Sequence, residues 1–315
     1  MAHHFLPATP ETVAWGYFDA ARAPVLEIDS GDTVTFETLS GEPEDMPPAA
    51  AGFEILPEHL EVHARCERGR GPHFLTGPVF VRGAEPGDVL EVRILSCELR
   101  QSWGWNVVEP LLGTLPEDFP NRRLLHMPID IEAGTVRTPW GKTLPLDPFF
   151  GIYGVAPPAA YGRIGTAEPR EHGGNMDNKE LKAGTTLFLP VWNEGALFST
   201  GDGHGVQGDG EVCLTALETA MRGTFEFHLR KDMTLLLPRA ETAGEIITMA
   251  FDPDLDDAAK TALRQMIDLL STEHGMDRGD AYTLCSLAAD MRVTQLVDGN
   301  KGIHTVLPKS ALGRD

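Results

Sequence analysis

A glycine-rich segment, GDGHGVQGDGE at residues 201–211, carries several side chains that could do chemistry. Asp202, His204, Asp209 and Glu211 lie between or beside its glycines. The spacing Gly-x-Gly-x-x-Gly matches a dinucleotide-binding turn, whose backbone N–H groups face a pyrophosphate. Three carboxylates would repel a pyrophosphate, and the lysine of a Walker phosphate-binding loop is missing. Phosphate binding is therefore excluded, whereas a plain tight turn and a metal-binding loop remain open.

A second group of candidate ligands lies upstream, in EHGGNMDNKE at residues 171–180. It contains His172, Asp177 and Glu180, together with two glycines that allow a close approach of the backbone. Imidazole and carboxylate ligands without a thiolate are typical of catalytic zinc, manganese or iron sites. We expect the two segments to meet at one sheet edge, since a predicted pair of strands separates them. This second group favours a metal or catalytic site over a plain turn.

The composition limits the partners and the compartment of the chain. Asp and Glu outnumber Lys and Arg by 47 to 26, which gives a formal net charge of −21. Nucleic acid and anionic membrane surfaces both need a basic patch, so neither is an expected partner. The N-terminal sequence does not resemble a signal peptide, and no segment reads as a membrane span. The four cysteines are scattered, which is typical of reduced thiols in a cytoplasmic protein.

Hydrophobic periodicity predicts strands in the first half of the chain and helices near its C-terminus. Apolar residues alternate with charged ones over residues 90–94, which is the pattern of a half-buried strand. Apolar residues recur every three or four positions from Leu263 to Leu270, and a second apolar stripe follows between Ala281 and Met291. We therefore predict a mainly β fold with an α/β C-terminal portion. Its core would be β-sandwich-like, of jelly-roll type, with a small helix-on-sheet element added.

Several long strings along the chain resemble the acetamidase/formamidase family. They include TGPVFVRGAEPGDVLEVRI, WGWNVVEPLLGTLPEDFP, HGGNMDNKEL, GDGHGVQGDGEVC and LCSLAADMRVTQLVDGNKGIH. The resemblance implies a single domain over residues 1–315, which divides into a β-rich part, 1–150, and a site-bearing β/α part, 151–315. It also implies hydrolysis of the C–N bond of small aliphatic amides such as acetamide or formamide, giving carboxylate and ammonia. We expect a homodimer or a higher homo-oligomer.

The resemblance also assigns roles to individual residues. Asp177, Asp202 and His204 would be ligands of a divalent metal, zinc above all, and an additional calcium ion is compatible with so many carboxylates. His172 would be a fourth ligand or a proton donor. Residues expected to contact the substrate or support the ligands are Asn175, Gln207, Asp209, His73 and Glu85.

The chemistry of amide hydrolysis predicts a general base beside the metal. Glu211 is the candidate, and Glu218 is its substitute, because a carboxylate can take a proton from water and pass it to the leaving nitrogen. A rival scheme uses Cys213 as nucleophile, but its apolar setting in EVCLTALE indicates an inert thiol. The alternative function is a non-enzymatic, calcium-binding β-sandwich that binds a ligand without cleaving any amide.

Overall fold

In the computed structural model of the chain, which describes residues 1–313, strands predominate. The strands are β1 (His3–Leu6), β2 (Val13–Trp15), β3 (Tyr17–Phe18), β4 (Leu26–Ile28), β5 (Thr33–Glu37), β6 (Phe74–Val81), β7 (Val89–Leu99), β8 (Trp103–Val108), β9 (Arg123–Asp130), β10 (Thr135–Arg137), β11 (Thr143–Pro145), β12 (Phe149–Gly154), β13 (Ile164–Gly165), β14 (Gly173–Asn175), β15 (Thr186–Pro190), β16 (Phe198–His204), β17 (Met221–Arg230), β18 (Arg239–Glu241), β19 (Glu245–Asp252), β20 (Asp290–Gln295) and β21 (Lys301–Pro308). The α-helices are α1 (Pro57–Arg65), α2 (Leu255–His274) and α3 (Arg278–Ala288).

Two sheets pack face to face. One has nine strands in the order β1-β5-β17-β7-β15-β18-β19-β21-β20, and the other has the order β14-β12-β16-β6-β2, with β4 added beside β6. Both inner faces contribute to one apolar core. The ring of Phe225, from the first sheet, lies 5.7 Å from Phe150 of the second and 5.5 Å from Phe36 of its own sheet. Such a shared core is the packing of a β-sandwich, so the predicted mainly β, sandwich-like fold is confirmed.

Helices α2 and α3 form a third layer on one end of the nine-stranded sheet. Along β19 and β21 the side chains alternate between two cores. Ile247 and Val306 face the sandwich, whereas Ile246 and Leu307 face the helices. Because side chains alternate across a strand with a period of two, one strand pair serves both layers. This layer confirms the predicted helix-on-sheet element.

Capping residues at both ends determine where helix α2 begins and ends. The side chain of Asp254 accepts hydrogen bonds from the backbone N–H groups of Asp256 and Asp257, and Gly275 closes the helix with a φ of 67°. An N-terminal carboxylate also interacts favourably with the helix dipole. The apolar stripe predicted from the sequence lies on this helix, and its residues Met266 and Leu270 are buried.

Two segments that lack strong periodicity close over one side of the sandwich. Residues 39–72 contain helix α1 and two short 3₁₀ helices, and residues 103–145 form a small sheet with the order β8-β9-β10-β11. The nine-stranded sheet draws strands from both sides of residue 150. Among the described residues, no helix is both long and apolar enough to span a membrane.

Candidate active site

The two segments singled out in the sequence converge across strand β12. On one side β12 pairs with β14, which leads directly into Asp177, and on the other it pairs with β16, which carries Asp202 and His204. The phenyl ring of Phe149 on β12 packs edge-on against the His204 ring, with centroids 5.0 Å apart. Antiparallel pairing on both flanks of one strand therefore brings ligands about 25 residues apart in the sequence to the same place.

His204 lies at the centre of four carboxylates. Its Nε2 atom is 3.2 Å from Glu218 Oε1, 3.3 Å from Asp202 Oδ2, 3.9 Å from Asp177 Oδ1 and 4.0 Å from Glu211 Oε1. All five side chains are buried. They form two triads that share His204, one with Asp177 and Glu211 and one with Asp202 and Glu218, and the potential ligand atoms of each triad lie within 4.8 Å of one another. We call these five residues the carboxylate cluster.

The backbone of the cluster is unusual. Asp177, Asp202 and Glu211 have φ values of 49°, 60° and 45°, in the left-handed region that non-glycine residues rarely adopt. Such conformations cost of order 1–3 kcal/mol each and concentrate at functional sites. The strained backbone indicates that the positions of these carboxylates are held at the expense of local stability.

Glycine at position 151 makes room for the cluster. A Cβ atom there would lie 2.3 Å from Asp177 Oδ1 and 2.3 Å from Asp202 Oδ2. The carbonyl of Gly151 also accepts hydrogen bonds from the backbone N–H groups of Met176 and Asp177. The sequence analysis missed this residue, although a glycine within a strand signals a close approach of other groups.

Asp298 is a further carboxylate that the sequence analysis missed. It lies in the β20–β21 loop, beside Asp177, and its Oδ2 atom is buried without a hydrogen-bond partner among the described residues. Burial, together with the nearby charge of Asp177, raises the pKa of Asp298 well above its ordinary value. The only signal in the sequence was the Asp-Gly pair of DGNKGIH, which by itself predicts a turn.

Burial and mutual repulsion dominate the electrostatics of the cluster. Burial raises the pKa of Glu218 to about 8, and it also raises the pKa values of Asp177 and Glu211. Asp202 differs, because His73 and His204 outweigh the effect of burial and hold its pKa below the ordinary range. Burial lowers the pKa of His204, but Glu218 and Asp202 more than reverse this and raise it. Without a further cation, only part of the cluster can be ionised at neutral pH.

The donor atoms of the cluster fit a divalent cation. Both carboxylate oxygens of Asp177 and Oε2 of Glu218 are buried and have no hydrogen-bond partner among residues 1–313. Buried polar atoms are nearly always paired, so such a concentration needs an explanation. A metal ion would accept several of these lone pairs and offset the negative charge.

Three further residues predicted for the site lie next to the cluster. His73 Nε2 is 3.8 Å from Asp202 Oδ2, and its Nδ1 is 3.0 Å from Thr166 Oγ1. Gln207 Nε2 donates to the carbonyl of Asp177 at 2.8 Å. Asn175 lines the same cavity as His73. Gln207 therefore holds the backbone of a cluster residue, whereas His73 contacts a carboxylate directly.

The structure does not bring His172, Glu85 or Asp209 into the cluster. His172 is fully buried, packs edge-on against Phe18 with ring centroids 4.9 Å apart, and does not line the cavity that Asn175 lines. Glu85 lies in the exposed β6–β7 turn and pairs with Lys231. Asp209 pairs with Lys179 at 2.9 Å.

Two other candidate residues from the sequence, a possible ligand and a possible nucleophile, also lie outside the cluster. Glu180 binds Arg292 at 2.7 Å, rather than joining the metal ligands. The sulfur of Cys213 lies 3.3 Å from Asn106 Nδ2 and does not line the cavity at the cluster. The position of Cys213 does not favour the nucleophilic cysteine scheme.

A cavity of about 660 Å³ connects the cluster to the surface. Asp177, Asp202, Glu211, Glu218 and Asp298 lie at its inner end. Its walls come from the two covering segments, residues 39–72 and 103–145, from the start of β6 and from the β20–β21 loop. A pocket of this size with converging polar groups is the usual form of an active site.

Comparison with known proteins identifies the family of this chain. The sequence model of the Acetamidase/Formamidase family matches residues 64–161 and 158–312. The chain belongs to this family. An acetamidase from Mycolicibacterium smegmatis is 28% identical in an alignment of 240 residues, and the match covers 58% of this chain and 58% of that protein. A formamidase from Methylophilus methylotrophus is 30% identical in an alignment of 200 residues, and the match covers 47% of this chain and 49% of that protein.

The chain also resembles a solved structure over nearly its whole length. The crystal structure of an acetamidase from Bacillus halodurans superimposes with a TM-score of 0.85 at 31% identity, and the match covers 98% of both chains. The matched segments span only about half to three fifths of the two curated relatives. The fold and the family are thus established for this chain.

Proposed function

We propose that this family member hydrolyses the C–N bond of an amide, giving a carboxylate and ammonia. The observation that carries the proposal is the burial of four carboxylates within 4.0 Å of His204 Nε2, at the inner end of a cavity. The activities named for the two curated relatives and the similar crystal structure support it. The balanced reaction adds the oxygen of water to the carbonyl carbon, breaks the C–N bond and transfers a proton to the nitrogen.

Asp177, Asp202 and His204 would hold a divalent cation in this site. Both triads include an imidazole, which favours zinc over calcium, because calcium takes oxygen ligands. When bound, the cation would supply Lewis acidity, which polarises a carbonyl, lowers the pKa of water and favours the ionised form of nearby carboxylates. The alternative of a purely calcium-binding, non-enzymatic sandwich is not favoured by a cluster centred on histidine.

Glu211 and Glu218 would divide the proton transfers. Glu211 takes a proton from the attacking water, and its position at the inner end of the cavity suits a general base. Glu218 gives a proton to the leaving nitrogen. Without a cation, burial raises the pKa of Glu218 to about 8, which is the direction that suits a general acid. His73 would hold Asp202 in its ionised form through the short distance between them.

An ammonia assay with a metal-removal arm tests the function. Purified protein is given formamide, acetamide and larger amides, before and after treatment with a chelator and after addition of Zn²⁺. We expect ammonia release that is lost with the metal and restored by zinc. Full activity after complete removal of metal would exclude the metal role, and release of neither ammonia nor amine from any amide would exclude amide hydrolysis.

Two glycine substitutions sharpen the assignment of the site. Gly151→Ala places a Cβ atom 2.3 Å from two cluster oxygens, so the carboxylates must shift. A displacement of about 1 Å in an active site can cost on the order of 100-fold in rate, and we expect such a loss together with a lower zinc content. Gly208→Ala is the matched control, because a Cβ atom there meets no atom within 4 Å. Equal activity of the two variants would contradict the assignment.

A further inference from the structure

The cavity is much larger than the smallest amides. Its volume is about 660 Å³, whereas acetamide, with four heavy atoms, occupies on the order of 100 Å³ when one water takes about 30 Å³. We propose that the substrate is an amide larger than acetamide, with an uncharged apolar substituent that fills the cavity beyond the carboxylate cluster. This inference rests on the proposed amide hydrolysis and names the class of amide.

Apolar side chains from several elements line the cavity. Phe74 comes from β6, Trp105 and Val107 from β8, and Leu112 from the loop that follows. The indole N–H of Trp105 donates to Ser40 Oγ at 3.2 Å, so the polar end of this ring already has a partner. An apolar substituent would remove these surfaces from water at a gain of about 25 cal/mol per Å², whereas acetamide would leave most of them exposed.

Charge at the outer end of the cavity selects against anions. Two arginines each bind two carboxylates there, Arg68 with Glu42 and Glu44, and Arg122 with Asp45 and Glu109. Both guanidinium groups are therefore engaged, and the carboxylates outnumber them. A carboxylate on the substrate would meet net negative charge on this path, because like charges at short range repel.

A substrate series on the unmodified protein tests the proposal. We would measure kcat/KM for formamide, acetamide, hexanamide and phenylacetamide, and for the monoamide of adipic acid, which has the chain length of hexanamide with a carboxylate at its end. N-benzylacetamide carries the apolar group on the nitrogen side. We expect phenylacetamide or N-benzylacetamide to exceed acetamide by at least about tenfold, since each buried methylene can contribute a factor of that order. The adipic monoamide should fall below hexanamide by a similar factor.

The outcomes separate this proposal from the function on which it rests. If formamide or acetamide has the highest kcat/KM, amide hydrolysis stands and the proposed substrate class is wrong. If the adipic monoamide equals hexanamide, the charge argument is wrong. If no amide releases ammonia or amine, the proposed function fails, and the substrate class fails with it.

A pair of neighbouring leucines provides a matched test of the cavity wall. Leu112 lines the cavity, whereas Leu111 is 87% exposed and does not. Leu112→Trp should lower the ratio of kcat/KM for phenylacetamide to that for acetamide by at least about tenfold, because the added rings occupy the space of the substituent. Leu111→Trp should leave this ratio unchanged. The same ratio in both variants would overturn the proposal.

Discussion

The helical layer and the carboxylate cluster are both buried, but burial has opposite effects on the stability of the fold in the two regions. Met266 and Leu270 of α2 pack against Ile246 and Leu307 of the sheet, and the first turn of α2 has its capping carboxylate. The cluster buries ionisable groups, leaves several of their atoms without partners, and places three of them in strained backbone. The first arrangement stabilises the fold, whereas the second costs stability and places groups for chemistry.

The two regions should therefore respond in opposite ways to substitution. Changes in the helical layer should alter the free energy of unfolding without altering the chemistry. Changes in the cluster should alter the chemistry and leave the fold as stable or more stable. Three substitutions test this contrast, and a fourth, at His172, tests a buried ionisable group outside both regions.

Glu218→Gln should have the largest effect. Loss of a proton-transferring carboxyl costs about 10²- to 10⁴-fold in rate, and we expect kcat/KM for the amide to fall within that range. The melting temperature of the metal-free variant should not fall, because a buried ionisable group is removed while an acceptor for the N–H of Ala216 remains. Ammonia release and thermal unfolding measure the two quantities. A large loss of stability would show that Glu218 is a structural residue.

Leu270→Ala should show the reverse behaviour. Leu270 is fully buried between α2 and the sheet, so its truncation should lower the free energy of unfolding by about 2–5 kcal/mol. The KM for the amide should not change. Leu287→Ala, at an 80% exposed position of α3, is the matched control and should stay within about 0.5 kcal/mol of the parent protein. A changed KM in Leu270→Ala would indicate that the helical layer reaches the site.

His172 introduces a pH dependence outside the cluster. Burial lowers its pKa to about 3, so the unfolded chain binds this proton more readily than the folded one. The stabilising effect of the neutral ring is complete above about pH 6.5 and is lost as the pH falls toward 3, at up to about 1.4 kcal/mol per pH unit. His172→Gln should make the fall in unfolding free energy shallower over this range. Parallel curves for the two proteins in denaturant titrations would contradict the assignment.

Asp254→Ala should have the smallest effect. Its carboxylate caps α2 by accepting two backbone N–H groups, and losing an N-cap costs about 1 kcal/mol. Asp254→Asn is the control, because asparagine caps a helix about as well as aspartate. Denaturant unfolding compares the two variants, and kcat should be the same in both. Equal stability of the alanine and asparagine variants would show that the cap contributes nothing.

Local patterns were sufficient for the regular elements. The stripe from Leu263 to Leu270 predicted a helix that the structure contains, and the alternation over residues 90–94 predicted a strand within β7. Helix α1 is not among the helices predicted from the sequence. Only two of the nine α1 residues, His59 and Val62, are buried, so its apolar periodicity is weak.

The candidate site was only partly predictable. Asp177, Asp202, His204, Glu211 and Glu218 were all named from residue types and from the resemblance to the family, and the structure brings them together. Gly151 and Asp298 were missed, since each belongs to the site only through groups distant in sequence. His172 and Asp209 stand in the right segments, but their side chains face elsewhere. Their roles, like the metal and the oligomeric state, stay predictions.

The sequence by itself determined the residue chemistry, the mainly β character, the helical layer and the family, because periodicity and motifs are local properties of the chain. Only the tertiary structure decided which side chains share one space. Strand β12 brings β14 and β16 to its two sides, and a glycine at position 151 leaves room for the carboxylates between them. Sheet pairing acts between distant residues, so convergence on His204 and the width of the cavity could not be read from spacing alone.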